Sequence, residues 1–122
     1  SKAILEEKPM DVFNYGKMKR DFTYIDDIVA GLLACLDKPF GYEIFNLGNN
    51  KTVELLYFIE TIEKELGKKG EKNLLPMQAG DIAETFANID KAKKMLGFNP
   101  KVSIEQGIKN FIQWYKEYNK TT

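Results

Sequence analysis

The sequence predicts a small α/β domain, and three observations carry that expectation. Segments rich in β-branched and aromatic residues alternate with segments whose apolar residues recur at helical spacing. Glycines placed to end helices, and a Ser103 to Gln106 capping box, punctuate the alternation. With 122 residues, 43% of them hydrophobic, the chain can build one core and has no length for a second domain. The count is three to four short strands and about four helices, too few strands for a full doubly wound sheet.

Residues 1–9, SKAILEEKP, read as the frayed end of a helix stopped at Pro9, too short to bury a face and lacking the helix's own beginning. Met10 to Phe13 is an apolar run suited to a strand, and Asn14, Tyr15 and Gly16 then turn the chain. A cationic loop with Lys17, Lys19 and Arg20 leads into a predicted strand over Phe22 to Ile25. Asp26 and Asp27 precede Ile28, Val29, Leu32, Leu33 and Leu36, the spacing of one apolar helix face from about Asp27 to Asp37 with a carboxylate at its N-terminus. Pro39 and Gly41 end that helix.

Tyr42 to Leu47 carries aromatic and β-branched residues on both faces, as a strand covered on both sides would. After a turn at Gly48, Asn49 and Asn50, Thr52 suits the N-cap of a helix striped by Val53, Leu55, Leu56, Ile59, Ile62 and Leu66 and closed by Gly67. Residues 67–72, GKKGEK, read as a solvated linker, and Asn73 to Met77 as an extended piece broken by Pro76. Asp90 can cap a short helix ending at Gly97. The final helix follows Ser103, with Ile104, Ile108, Phe111, Ile112 and Tyr115 along one side. Gly107 inside it costs about 1 kcal/mol against Ala, which implies close packing there. Trp114 is assigned to core or interface, and the tail from Asn119 is expected to be mobile.

Composition excludes several classes of function. Basic and acidic residues number 18 each, so no global field draws the chain to nucleic acid or an anionic membrane, and attraction for an anion must be local. Apolar runs are only a few residues long and no leader pattern opens the sequence, so a cytoplasmic protein is expected. The single cysteine, Cys35, cannot form an internal disulfide and is expected to pack as a small hydrophobe. The absence of histidine removes a His general base, a Ser-His-Asp triad and most zinc sites. The paired carboxylates Asp26 with Asp27 and Asp81 with Glu84 need no more than helix caps and loop acids to explain them, and no metal is expected.

Two residues carry local chemistry. Arg20 is the one arginine among 18 basic residues, and its planar fork can grip a phosphate or carboxylate at two points. It can equally be a surface arginine beside Asp21, and spacing does not separate the two. Asp81, after Gly80 in the loop Gln78 to Asp81, is an acceptor suited to hydroxyls, although a local turn acid is the simpler account of the residues alone. No G-x-G-x-x-G follows a strand, so no dinucleotide fingerprint is present.

Taken together, the runs DVFNYGKMKRDFTYIDDIVAG, YEIFNLGNNKTVEL, LLPMQAGDIAETFANIDKAKKMLGFNPKVSIEQGI and FIQWYKEY cover nearly the whole chain. In this order they resemble the C-terminal, substrate-binding portion of NAD-dependent nucleotide-sugar epimerases of the extended short-chain dehydrogenase family, and most of all the UDP-glucuronate 4-epimerases. The resemblance implies a substrate-binding domain over residues 1–122, without the N-terminal Rossmann domain that holds NAD and supplies the catalytic Ser or Thr, Tyr and Lys. In such an enzyme the cofactor oxidises the sugar at C4 and returns hydride to the other face. This chain alone is then expected to bind no NAD, to contain no catalytic residue and to be inactive. Tyr15 and Lys19 spell Y-x-x-x-K, but Gly16 lies between them in a turn, so they are not expected to be the catalytic pair.

The resemblance also implies a UDP-sugar site. Arg20 matches the arginine that grips the diphosphate, and Asp81 the acid that accepts from the ribose hydroxyls. Gln78 stands where many relatives place a second phosphate-binding arginine, and the strand around Asp11 and Phe13 is similar to the segment whose backbone meets the uracil. A full-length relative would be a homodimer formed through its NAD domain, which leaves this portion free to be monomeric. Two alternatives stay open: a related dehydratase or decarboxylase with the same layout, and a non-catalytic binding or assembly module.

Overall fold

Apolar helix faces meeting in two clusters set the architecture of the computed structural model, which describes residues 1–120. In the first, α3 (Leu55–Leu66) and α5 (Ile104–Asn119) pack through Ile62, Ile108 and Ile112, and Ile4 of α1 (Lys2–Leu5) joins them. Ile4 is 1% exposed, so the opening segment does bury a side chain, contrary to expectation: one helical turn suffices to deliver a single isoleucine. In the second cluster, Ile89, Ala92 and Leu96 at α4 (Asp90–Leu96) pack with Phe98 against Ala34 and Cys35 of α2 (Ile25–Asp37) and against Phe45 and Leu47. Cys35 therefore packs as a small hydrophobe, as expected.

The strands are three residues each. β1 (Met10–Val12) pairs in parallel with β4 (Lys72–Leu74), with Asp11 opposite Asn73. β2 (Lys19–Asp21) pairs antiparallel with β3 (Thr52–Glu54), with Arg20 opposite Val53, and on its other edge Lys19 bridges to Glu84. Four strands and five helices among the described residues give the predicted α/β class, with one helix more than expected.

Several boundaries move for identifiable reasons. The strand expected over Phe22 to Ile25 lies three residues earlier, on the charged KRD segment, because β3 and the chain near Glu84 supply its partners there. Phe22 instead stacks on Phe58, ring centroids 4.0 Å apart, and Ile25 opens α2. Tyr42 to Leu47 forms no strand among the described residues: no neighbouring backbone pairs with it, and Tyr42 and Ile44 stand in solvent. Thr52 belongs to β3 and caps nothing; Glu54 occupies the N-cap position of α3.

Neither carboxylate caps α2, whose N-cap position is Tyr24. Asp27 is buried and accepts the backbone N–H groups of Lys101 and Val102, each at 3.0 Å, tying α2 to the segment before α5. The predicted apolar stripe on α2 is present, yet Val29, Leu32, Leu33 and Leu36 are exposed. The GKKGEK segment is not merely solvated. Lys72 ion-pairs with buried Glu63, and the Gly70 N–H donates to the same carboxylate at 2.9 Å. Burial by itself pushes the Glu63 carboxyl up, but the Lys72 ammonium and the Gly70 N–H together hold it below the usual carboxylate value.

Other expectations hold. Gly67 and Gly97 close α3 and α4 in left-handed conformation, and Ser103 Oγ accepts the Gln106 N–H at 3.2 Å. A β-carbon on Gly107 would stand 3.2 Å from Tyr24 Cδ2, the close packing expected there. Trp114 is half-exposed on α5 and stacks on Tyr118, so it is not core. Asn119 ends α5, and residues 121–122 of the expected mobile tail lie outside the described residues.

Candidate functional site

β2 is the element that builds the site. Because successive side chains of a strand leave opposite faces, Arg20 and Asp21 point apart. Arg20 reaches across 61 residues of sequence to Asp81, with Nη2 donating to Asp81 Oδ1 at 3.1 Å. Its Nη1 donates to the Lys19 carbonyl at 2.8 Å and to the Ala83 carbonyl at 3.4 Å. The two side chains are 27% and 30% exposed, so the pair is partly shielded yet open to a ligand.

Asp81 is presented by a turn. Its N–H donates to the Gln78 carbonyl at 3.2 Å, and Gly80 takes φ +83°, a conformation that a side chain would strain. Asp81 Oδ1 also accepts the Ile82 N–H at 2.8 Å, and no donor among the described residues sits on Oδ2. Gln78 shares this turn with its side chain exposed. A guanidinium and a carboxylate with a spare oxygen thus meet here, and an exposed glutamine begins the turn that carries the carboxylate. That set can hold an anion beside hydroxyl groups.

Asp11 and Phe13 are placed differently. Asp11 lies in β1 and accepts from Asn73 Nδ2 at 2.9 Å, while Phe13 opens a short 3-10 turn, Phe13–Gly16. Neither makes a hydrogen bond or ion pair with Arg20 or Asp81 among the described residues. Their segment reaches the site through backbone: Leu75 N–H donates to Val12 O and Tyr15 N–H to Leu75 O, each at 3.0 Å, just before the Gln78 turn. Asn14, Tyr15 and Gly16 all have positive φ, and Lys19 lies in β2, so Tyr15 and Lys19 do not share a helix face.

Sequence reasoning missed Asp21. Its Oδ1 accepts the Asn49 N–H at 3.0 Å; its Oδ2 accepts those of Asn50 at 3.0 Å and Ala87 at 3.1 Å. The Gly-Asn-Asn turn was visible in the sequence, but nothing in the spacing connected it to Asp21. An apolar groove of about 240 Å³ between Phe22, Phe58 and α5 has no charged lining and does not suit a nucleotide.

A family model described as GDP-mannose 4,6 dehydratase matches residues 2–111. An uncharacterised protein of Methanocaldococcus jannaschii is 56% identical over 117 residues, covering 96% of this chain and 36% of that protein. A UDP-glucuronate 4-epimerase of Thermodesulfobacterium geofontis is 47% identical over 117 residues, covering 95% of this chain and 36% of that protein. The crystal structure of UDP-glucuronic acid 4-epimerase from Bacillus cereus, in complex with UDP-glucuronic acid and NAD, superposes with a TM-score of 0.87 at 35% identity. That match covers 96% of this chain and 38% of the Bacillus cereus chain, so the chain spans well under half the length of these relatives.

Proposed function

Since the chain belongs to the GDP-mannose 4,6 dehydratase family, we propose that it forms the substrate-binding portion of an NAD-dependent nucleotide-sugar epimerase that inverts C4 of UDP-glucuronate. The observation that carries this reading is the 3.1 Å approach of Arg20 to Asp81, with Gln78 in the same turn. In it, Arg20 turns its fork to the diphosphate and Asp81 accepts from the ribose hydroxyls through its spare oxygen. Gln78 adds a hydrogen bond without charge, so the positive charge at the phosphates rests on Arg20. Asp11 and Phe13 keep the backbone of their segment available to the base.

In this reading NAD is held by none of this chain's own residues. β2 runs into α2 through Phe22 to Tyr24 and β3 runs directly into α3, with no glycine at either junction to admit a pyrophosphate. In this reading the dinucleotide and the catalytic residues belong to a separate NAD-binding domain, dimerisation belongs there too, and the setting is cytoplasmic. The family description names a dehydratase, which could use the same grip. The epimerase is preferred because the Thermodesulfobacterium geofontis relative and the Bacillus cereus structure carry that name.

One charge-assisted contact to phosphate contributes about 1.5–3 kcal/mol, and an open half-cleft adds little, so UDP alone should bind this chain in the millimolar range or more weakly still. Titration with UDP followed by amide NMR should shift residues 11–20 and 78–81 saturably. Submicromolar UDP binding, or epimerisation by the 122 residues with added NAD, would overturn the assignment.

A further inference from the structure

We propose that Asp21 is a positioning residue for the nucleotide site, holding the loop that carries Asp81 in register with Arg20; this rests on the function proposed above. The loop from Asp81 to Ala87 is fastened to β2 at successive points. Arg20 takes Asp81, the Lys19 N–H donates to Ala83 O at 2.8 Å, the Thr85 N–H donates to Lys19 O at 3.1 Å, and Asp21 Oδ2 takes the Ala87 N–H at 3.1 Å. Three consecutive residues of one strand therefore set the loop's path.

Asp21 also fixes what lies on the other side. Its carboxylate accepts both Asn49 and Asn50 N–H groups, and Asn50 holds φ +57°. Gly48 permits this approach, because a β-carbon there would lie 2.5 Å from Ala87 Cβ and 3.1 Å from Asp21 Oδ2. One carboxylate thus joins β2, the Gly48 turn and the end of the Asp81 loop. A carboxylate satisfied by three main-chain donors cannot shift without stranding at least one of them. Through Ala87 it restrains the loop at whose other end Asp81 stands.

The test uses Asp21→Asn, which keeps one oxygen acceptor, and Gly48→Ala, which drives a methyl between Asp21 and Ala87. In ligand-free chain, hydrogen exchange at residues 49–50 and 82–87 should accelerate at least tenfold in both variants, with α3 and α5 unchanged. UDP affinity should fall at least fivefold, and Asp81→Ala should cost less affinity in the Asp21→Asn background than in wild type. That last readout separates positioning from stability, since a merely structural aspartate would leave the Asp81 penalty intact. Unchanged UDP affinity in both variants, undiminished Asp81 dependence, or global unfolding of both would overturn the proposal. If wild type gives no UDP response while the variants still loosen these loops, the proposed function fails, and the positioning role with it. A UDP response in wild type that survives both substitutions refutes the positioning role alone.

Discussion

Asp27, in the first turn of α2, receives the backbone N–H of Val102 at 3.0 Å, and that bond together with the one from Lys101 ties α2 to the segment that leads into α5. Asp27→Ala would strand the Val102 donor in a partly buried position. A loss of about 1–3 kcal/mol is expected, and Asp27→Asn should recover part of it through its remaining oxygen. Urea unfolding of the three proteins checks the order.

Glu63 gives the fold an acid-sensitive pair. Its carboxyl is held below the ordinary value in the folded chain, so its contribution is present above the unfolded pKa and is lost as pH falls through the folded one. Stability should therefore decline from the ordinary glutamate range, near ~4.3, downwards. Glu63→Gln should lower stability at neutral pH and flatten the decline in that window. Urea midpoints measured from neutral to acidic pH read both effects.

Two left-handed glycines should respond differently to alanine. At Gly16, φ +79°, the new methyl would lie 2.3 Å from Leu56 Cγ, whereas at Gly97, φ +73°, nothing stands within 4 Å. Gly97→Ala should cost about 1–2 kcal/mol from backbone strain alone. Gly16→Ala should cost that plus about 1–3 kcal/mol of overpacking. Thermal melts of the two variants give the comparison.

The elements that the sequence declared were those whose determinants are local. The αL glycines Gly67 and Gly97, the Ser103 cap and the stripes of α3 and α5 need only neighbours in sequence, and the resemblance drawn from the residue runs agrees with the family match. What misled was pairing at a distance. The β-rich letters of Phe22 to Tyr24 promised a strand, but β3 and the Glu84 segment lie beside Lys19 to Asp21. Tyr42 to Leu47 likewise has strand chemistry, yet no described backbone pairs with it. At the site, the Arg20 to Asp81 convergence was expected from the resemblance and the two do meet, while Asp21 escaped because its three donors lie 28 to 66 residues away.

Arg20→Lys separates charge from geometry. Lysine keeps the positive charge but lacks the planar fork whose two spread nitrogens reach the Lys19 and Ala83 carbonyls on one side and Asp81 on the other. UDP affinity should drop severalfold with lysine and further with alanine, and wild-type binding should weaken with added salt. Equal affinity for the lysine variant would mean that only charge matters at this position.

Phosphorus NMR of UDP is the most direct measurement, because it watches the diphosphate itself. Added wild-type chain should shift and broaden both phosphorus resonances in a saturable way, and Arg20→Ala should abolish the response while the protein stays folded. Resonances that respond equally to wild type and to Arg20→Ala, or to neither, would contradict a diphosphate grip by Arg20.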